Sequence, residues 1–222
     1  RITESKVKQI MKIGLPAGFQ GAIFSVSNVL IQSSVNSFGS IAMAGSTASA
    51  NVEGFVYNAM NAVYQTALSF TSQNYGAGKM NRVTKILLYC LGLVVMVGAV
   101  MGGGAVLIGP KLLQIYSSDP EVISYGMMRM RIINGSYFLC GIMDTMVGGL
   151  RGLGYSVVPM LVSLTGACLF RVVWIFSVFA MHRTLTTLYI SYPVSWIITF
   201  TAHIICYIVI RKRIAARRKP RD

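Results

Sequence analysis

The chain has 222 residues, of which 54% are hydrophobic and only 12% charged, with a mean hydropathy of +0.62. Soluble domains carry about 25% charged residues, so this composition argues against a soluble domain and for a bilayer. The formal net charge of +14 would fit nucleic acid, but no soluble domain accompanies the basic residues, and no nucleic-acid partner is expected.

Six segments are long and apolar enough to be read as membrane spans: 10–36, 40–73, 84–109, 121–149, 155–180 and 188–210. The predicted fold class is therefore all-α and integral to the membrane, a bundle of six transmembrane helices. Residues 1–9 precede it as the end of a linker, and residues 211–222 follow as a basic tail. With alternating helices, the segments 1–12, 76–85, 150–154 and 211–222 share one side and hold 15 of the 20 Lys and Arg. The opposite loops hold only Lys111 and Arg183. Positive charge marks the cytoplasmic side, so both termini are expected in the cytoplasm, with the tail anchoring topology against anionic lipid.

Along the chain, Pro16 sits near the entrance of the first span, where its missing N–H costs least. The second ends at "QNYGAGK", whose glycines can adopt left-handed conformations. "SSDPE" before the fourth offers Ser118 or Asp119 as N-cap, Pro120 as first helical residue and Glu121 in the first turn. "RGLGYSVVP" is a short turn to the fifth span, and short connections imply antiparallel neighbours in a bundle. Cys90, Cys140, Cys168 and Cys206 fall in separate spans and read as small buried hydrophobes. His182 and His203 stand apart, so no metal site is expected, and no nucleophile–base–acid set points to an enzyme.

The second span carries the most informative pattern. At 100° per residue, Asn51, Gly54, Asn58, Asn61, Gln65 and Ser72 form a polar stripe, and Val52, Phe55, Ala59, Val63 and Phe70 an apolar arc suited to lipid. Glu53, Tyr57 and Tyr64 lie together on a third face. A charge at the centre of a membrane helix costs roughly 2.5–3.5 kcal/mol, so such residues face bundle interiors or cavities. Two readings of Glu53 stand: a proton or cation site, or the buried partner of an arginine. Arg129 and Arg131 in the fourth span and Arg171 in the fifth are the possible intramembrane partners. In the fourth span Arg131, Asn134, Gly141, Asp144, Gly148 and Arg151 share a face. Asp144 is read either as a second coupling acid or as a rim residue interacting with Arg151. Asn28 and Gln32 belong to a polar stripe in the first span. Candidate cavity-lining residues are Asn28, Gln32, Tyr57, Asn58, Asn61, Gln65, Asn134 and Tyr137. Thirteen methionines and the aromatics suit loose recognition of apolar or cationic small molecules.

"MKIGLPAGFQ", "QNYGAGK" and "GGLRGLGYSVVPM", in that order and spacing, resemble the carboxyl-terminal half of MATE multidrug and toxin extrusion transporters. The resemblance implies one six-helix lobe of a twelve-helix exporter. Its other lobe would precede Arg1, and the substrate would be a drug or organic cation exchanged for Na⁺ or H⁺. It also implies residence in the plasma (inner) membrane and no cofactor beyond the coupling ion. The family's acid in the fourth helix would fall near Cys140, one turn before Asp144, which can substitute from the same face. Some members instead use an acid in the helix equivalent to the first span, which here has none; Glu53 is the candidate for that role. A lipid-linked precursor flippase of the same superfamily and a non-transporting bundle or scaffold are the alternatives.

Overall fold

The computed structural model describes residues 4–217, and every regular element among them is helical. The first three residues of the linker segment and the last five of the basic tail lie outside the described residues. Six rods run in chain order: α1 (Glu4–Asn36), α2 (Ser40–Gly76), α3 (Met80–Leu107), the pair α5 (Pro120–Ile133) and α6 (Tyr137–Gly152), α7 (Val157–Phe179) and α8 (Leu185–Arg217). A short helix, α4 (Gly109–Gln114), lies in the loop before α5. Helices α1, α3, α7 and α8 are long and apolar enough to cross a membrane by composition alone. The other two rods, α2 and α5–α6, carry the polar stripes, which lower their hydropathy without shortening them.

Local chemistry sets the boundaries. Asp119 accepts a hydrogen bond from the Glu121 N–H at 2.8 Å, and Pro120 opens α5. The turn after α6 is made by Gly154 at φ +86°, a conformation that any side chain would strain. Two expectations need correction. Pro16 is not at an entrance: α1 begins at Glu4 and holds Pro16 inside, because the basic start continues as helix with Glu4 and Lys8 paired one turn apart. The fourth span is not one helix either. A 3₁₀ turn at Asn134–Ser136 divides it, and the Ser136 hydroxyl donates to the Ile132 carbonyl at 2.6 Å, drawing that carbonyl into a side-chain bond.

Packing centres on α2, which lies against α3, α5 and α6, while α6 also meets α3 and α8. Val56, Met60, Val63, Val94 and Met130 fill one core between them; Met146, Leu150, Leu87 and Tyr207 fill another. Helix α3 approaches the break closely. A Cβ at Gly102 would collide with the Asn134 carbonyl oxygen, and one at Gly98 would sit 2.8 Å from the Phe138 Cα. Asn134 itself is buried with both amide atoms unpartnered. Helix α1 is different. It touches mainly α2 and α7, and among its described side chains only Ser27, Ile31 and Val35 are buried.

The proposed lipid-facing arc of α2 divides in two. Phe55 and Phe70 are exposed, whereas Val52 and Val63 are buried in the core with Val56. An apolar side chain in a membrane helix serves a helix contact and a lipid contact equally well, so hydropathy cannot separate them. The amide stripe Asn51, Asn58, Gln65 and Ser72 is exposed, on the side of α2 opposite its packed face.

Candidate functional site

A cavity of about 470 Å³ lies between α1, α2, α6, α7 and α8, within the range of sites for drug-sized molecules. Helix α2 contributes Glu53, Tyr57, Asn61 and Tyr64; α6 contributes Tyr137, Cys140, Met143, Asp144 and Arg151. Gln20, Phe24 and Asn28 close it from α1, Arg171 from α7, and Tyr192 and Trp196 from α8. These positions recur at threes, fours and sevens, the spacing at which one helix presents side chains to one neighbour.

The charged groups around the cavity are held in different ways. Glu53 is buried at its edge and bound by Arg129, whose Nε and Nη2 each donate to a different carboxylate oxygen at 2.8 Å. This two-pronged geometry is the strongest arrangement available to the two groups. Ser49 donates to the same carboxylate at 3.0 Å, and the third guanidinium nitrogen of Arg129 donates to Ser46 at 3.1 Å. The pair thus closes on itself between α2 and α5. Of the two sequence readings, the geometry fits Glu53 as an arginine's partner, and Arg129 is that arginine. Arg131 is exposed and takes no part.

Asp144 is half-buried, and among the described residues no Lys, Arg or His nitrogen lies within 4.0 Å of it. Its neighbour across the cavity is the Tyr57 hydroxyl. Arg151, which sequence placed beside Asp144 at a rim, is instead buried. Its terminal nitrogens donate to the Tyr64 hydroxyl and the Gln20 side-chain amide oxygen, both at 2.8 Å. That lattice ties α6 to both α1 and α2. Arg171 donates from Nε to the Ser195 hydroxyl at 2.9 Å and lies over the Tyr192 ring at 4.2 Å.

Sequence candidates therefore divide. Glu53, Asp144, Asn28, Tyr57, Asn61, Tyr137 and Arg171 come together on the wall. Gln32 does not: its amide bonds Asn36 at 3.1 Å beside a separate hollow. Asn58 and Gln65 face outward, and Asn134 is sealed against α3. Gln20, Arg151, Tyr192 and Trp196 were not among the candidates. The one available signal for the last two was an aromatic pair four residues apart in a span without charged residues. No cluster of three metal-ligating side chains exists among the described residues.

Comparison with known proteins gives this arrangement a family. The MatE family model matches residues 16–177. The chain is 24% identical over 159 residues to a protein of Thermotoga maritima described as a probable multidrug resistance protein NorM, an alignment covering 72% of this chain and 34% of the relative. Among solved structures, the Vibrio cholerae MATE transporter VcmN in its bent form superposes with a TM-score of 0.85 at 19% identity, covering 96% of this chain and 48% of that one. A MOP superfamily transporter from Pyrococcus furiosus, described as having a binding pocket of reverse polarity, superposes at 0.84 and 16% identity over 99% of this chain and 49% of that one. The chain thus spans about half the length of the structures it matches. It belongs to the MatE family of integral membrane transporters, and its helices form one half of that fold.

Proposed function

We propose that this bundle is one lobe of a secondary active exporter, in which small organic molecules leave the cell in exchange for Na⁺ or H⁺. It works with a second six-helix lobe of the same transporter, in the plasma membrane with both termini cytoplasmic. The exposed amide stripe of α2 and the lightly packed α1 support this reading, since each would leave polar surface against lipid unless another lobe covered it. The tail and linker charges support the orientation.

Asp144 carries the coupling. The observation behind this assignment is a carboxyl group on the cavity wall with no cationic nitrogen of the described residues within 4.0 Å, whereas Glu53 is already satisfied by Arg129. A carboxylate free of a salt bridge is open to a cation or a proton. A bound ion shifts the balance between inward- and outward-facing packing only by its different affinity for the two states. Asp144 sits where such a difference arises, on α6 opposite Tyr57 of α2.

The test is efflux of a fluorescent organic compound from vesicles containing the complete transporter, with an imposed Na⁺ or H⁺ gradient. Asp144→Asn is expected to abolish gradient-driven efflux at matched protein levels and unchanged thermal stability. Full efflux by this variant would remove Asp144 from coupling.

A further inference from the structure

Among the described residues, Arg171 is the one cationic group on the cavity wall that neither a carboxylate nor a lattice of side chains holds. It lies within the apolar span of α7 and is 4% exposed. A guanidinium at that depth normally finds an acid. Here, among the described residues, its hydrogen bonding within the protein is limited to Nε and Ser195. No carboxylate oxygen of the described residues lies within 4.0 Å of it.

Its setting fixes an orientation. The guanidinium lies over Tyr192 at 4.2 Å and 5.8 Å from the Trp196 ring centre. Trp196 in turn lies 5.5 Å from Tyr137 and 5.8 Å from Tyr192. Stacking holds the planar group flat, and Ser195 occupies its Nε edge. The two terminal nitrogens make no hydrogen bond among the described residues, on a side chain that lines the cavity, and a guanidinium's paired N–H groups match the two oxygens of a carboxylate. Charge counting points the same way. Glu53 and Arg129 cancel, which leaves Arg151 and Arg171 against Asp144. A low-dielectric cavity focuses that excess positive potential inward.

We propose that Arg171 is the anchor of an organic-acid subsite, and that the substrates of this lobe include aromatic carboxylates. The carboxylate is gripped by the terminal nitrogens of Arg171, and the ring packs on the Tyr137–Trp196–Tyr192 wall. The inference rests on the exporter reading above, and it narrows that reading's small organic molecules to a class bearing an acid.

Four naphthalene probes of nearly one shape separate the ideas: 1-naphthoate, the neutral 1-naphthamide, 1-naphthylmethylammonium and 1-naphthyl phosphate. Binding to the complete wild-type transporter in neutral detergent is read from quenching of tryptophan fluorescence, and export from loaded vesicles. Naphthoate should bind about tenfold or more tightly than naphthamide, as charge-assisted paired hydrogen bonds require. Arg171→Gln should erase that preference while binding naphthamide as before, and Arg171→Lys should restore part of it. Equal wild-type affinity for naphthoate and naphthamide, or a preference that survives in Arg171→Gln, would overturn the subsite. The wild-type comparison decides the matter even if the variants fold poorly. Export of the ammonium probe without naphthoate binding would sink the subsite and leave the exporter standing. Export of no probe at all would take down the exporter first.

Discussion

Arg129 and Arg171 both lie over one ring, that of Tyr192. Arg129 lies 5.8 Å from the centre of Tyr192 and Arg171 lies 4.2 Å from it. Both are buried and both are inside membrane-depth helices, yet one is closed by Glu53, Ser46 and the Tyr189 face while the other lines the cavity with its terminal nitrogens unbonded among the described residues. Burying a charge is costly unless the partner geometry repays the lost hydration. A fold can keep the first arginine for structure, because removing either member of the pair strands the other. The second gains nothing comparable from its own chain, so its retention in the wall is best understood through what enters the cavity.

Breaking the closed pair should produce the largest effect. Glu53→Gln leaves Arg129 buried without its carboxylate, and about 3–5 kcal/mol of stability should be lost. Thermal unfolding of the complete transporter in detergent would read it, and the double variant Glu53→Gln with Arg129→Met should recover most of the loss. An unchanged midpoint in the single variant would show that the pair is not structural. Filling the close approach beside the break, by Gly102→Val, should cost about 1–3 kcal/mol through the collision with the Asn134 carbonyl. It tests whether the α5–α6 joint is held as tightly as the ion pair it adjoins in sequence. Asp119→Ala should cost about 1 kcal/mol by removing the α5 cap, a reference for a purely local loss. The open arginine gives the smallest change. Arg171→Met should move stability by less than about 1 kcal/mol in either direction, because no carboxylate partner is stranded. A loss as large as that of Glu53→Gln would mean that Arg171 too is held for structure.

Much of this was legible in sequence because it is written in local chemistry. A cap at Ser118 or Asp119, the proline after it and a left-handed glycine in "QNYGAGK" follow from residue type; the structure selects Asp119 and Gly78. Four of the six rods follow from hydropathy alone, and the polar face of α2 from its period. Glu53 was legible as a choice between an ion site and an arginine pair, but the choice turned on which of three arginines α5 or α7 brought within reach. Only packing decides that. Asn58 and Gln65 lay on the right helix and near the right face, yet rotation of a few tens of degrees separates a cavity wall from the outer surface. Arg151 misled for a different reason. A basic residue at a span's end reads as a rim residue by charge, whereas Gln20 and Tyr64, distant in sequence, supplied the partners that let it turn inward. The aromatic wall of α8 lay in a span with no charged residue to mark it.

The wide turns of α7 have a consequence for the chain's history. Over Leu164–Leu169 and again over Ile175–Phe179 the backbone is π-helical, the form a helix takes when it absorbs one residue more than its α register holds. Arg171 stands after the first of these and before the second. Removing one residue from 164–169 would let that stretch close as ordinary α-helix while everything downstream kept its facing, Arg171 included. Were the same stretch to tighten without losing a residue, the downstream segment would turn by about 100° and carry the guanidinium away from Ser195. A membrane helix is ordinarily a poor place to change length by one. This one contains two slots where insertion or deletion is absorbed on the spot, so homologues that differ there by a single residue need not differ in what they present to the cavity.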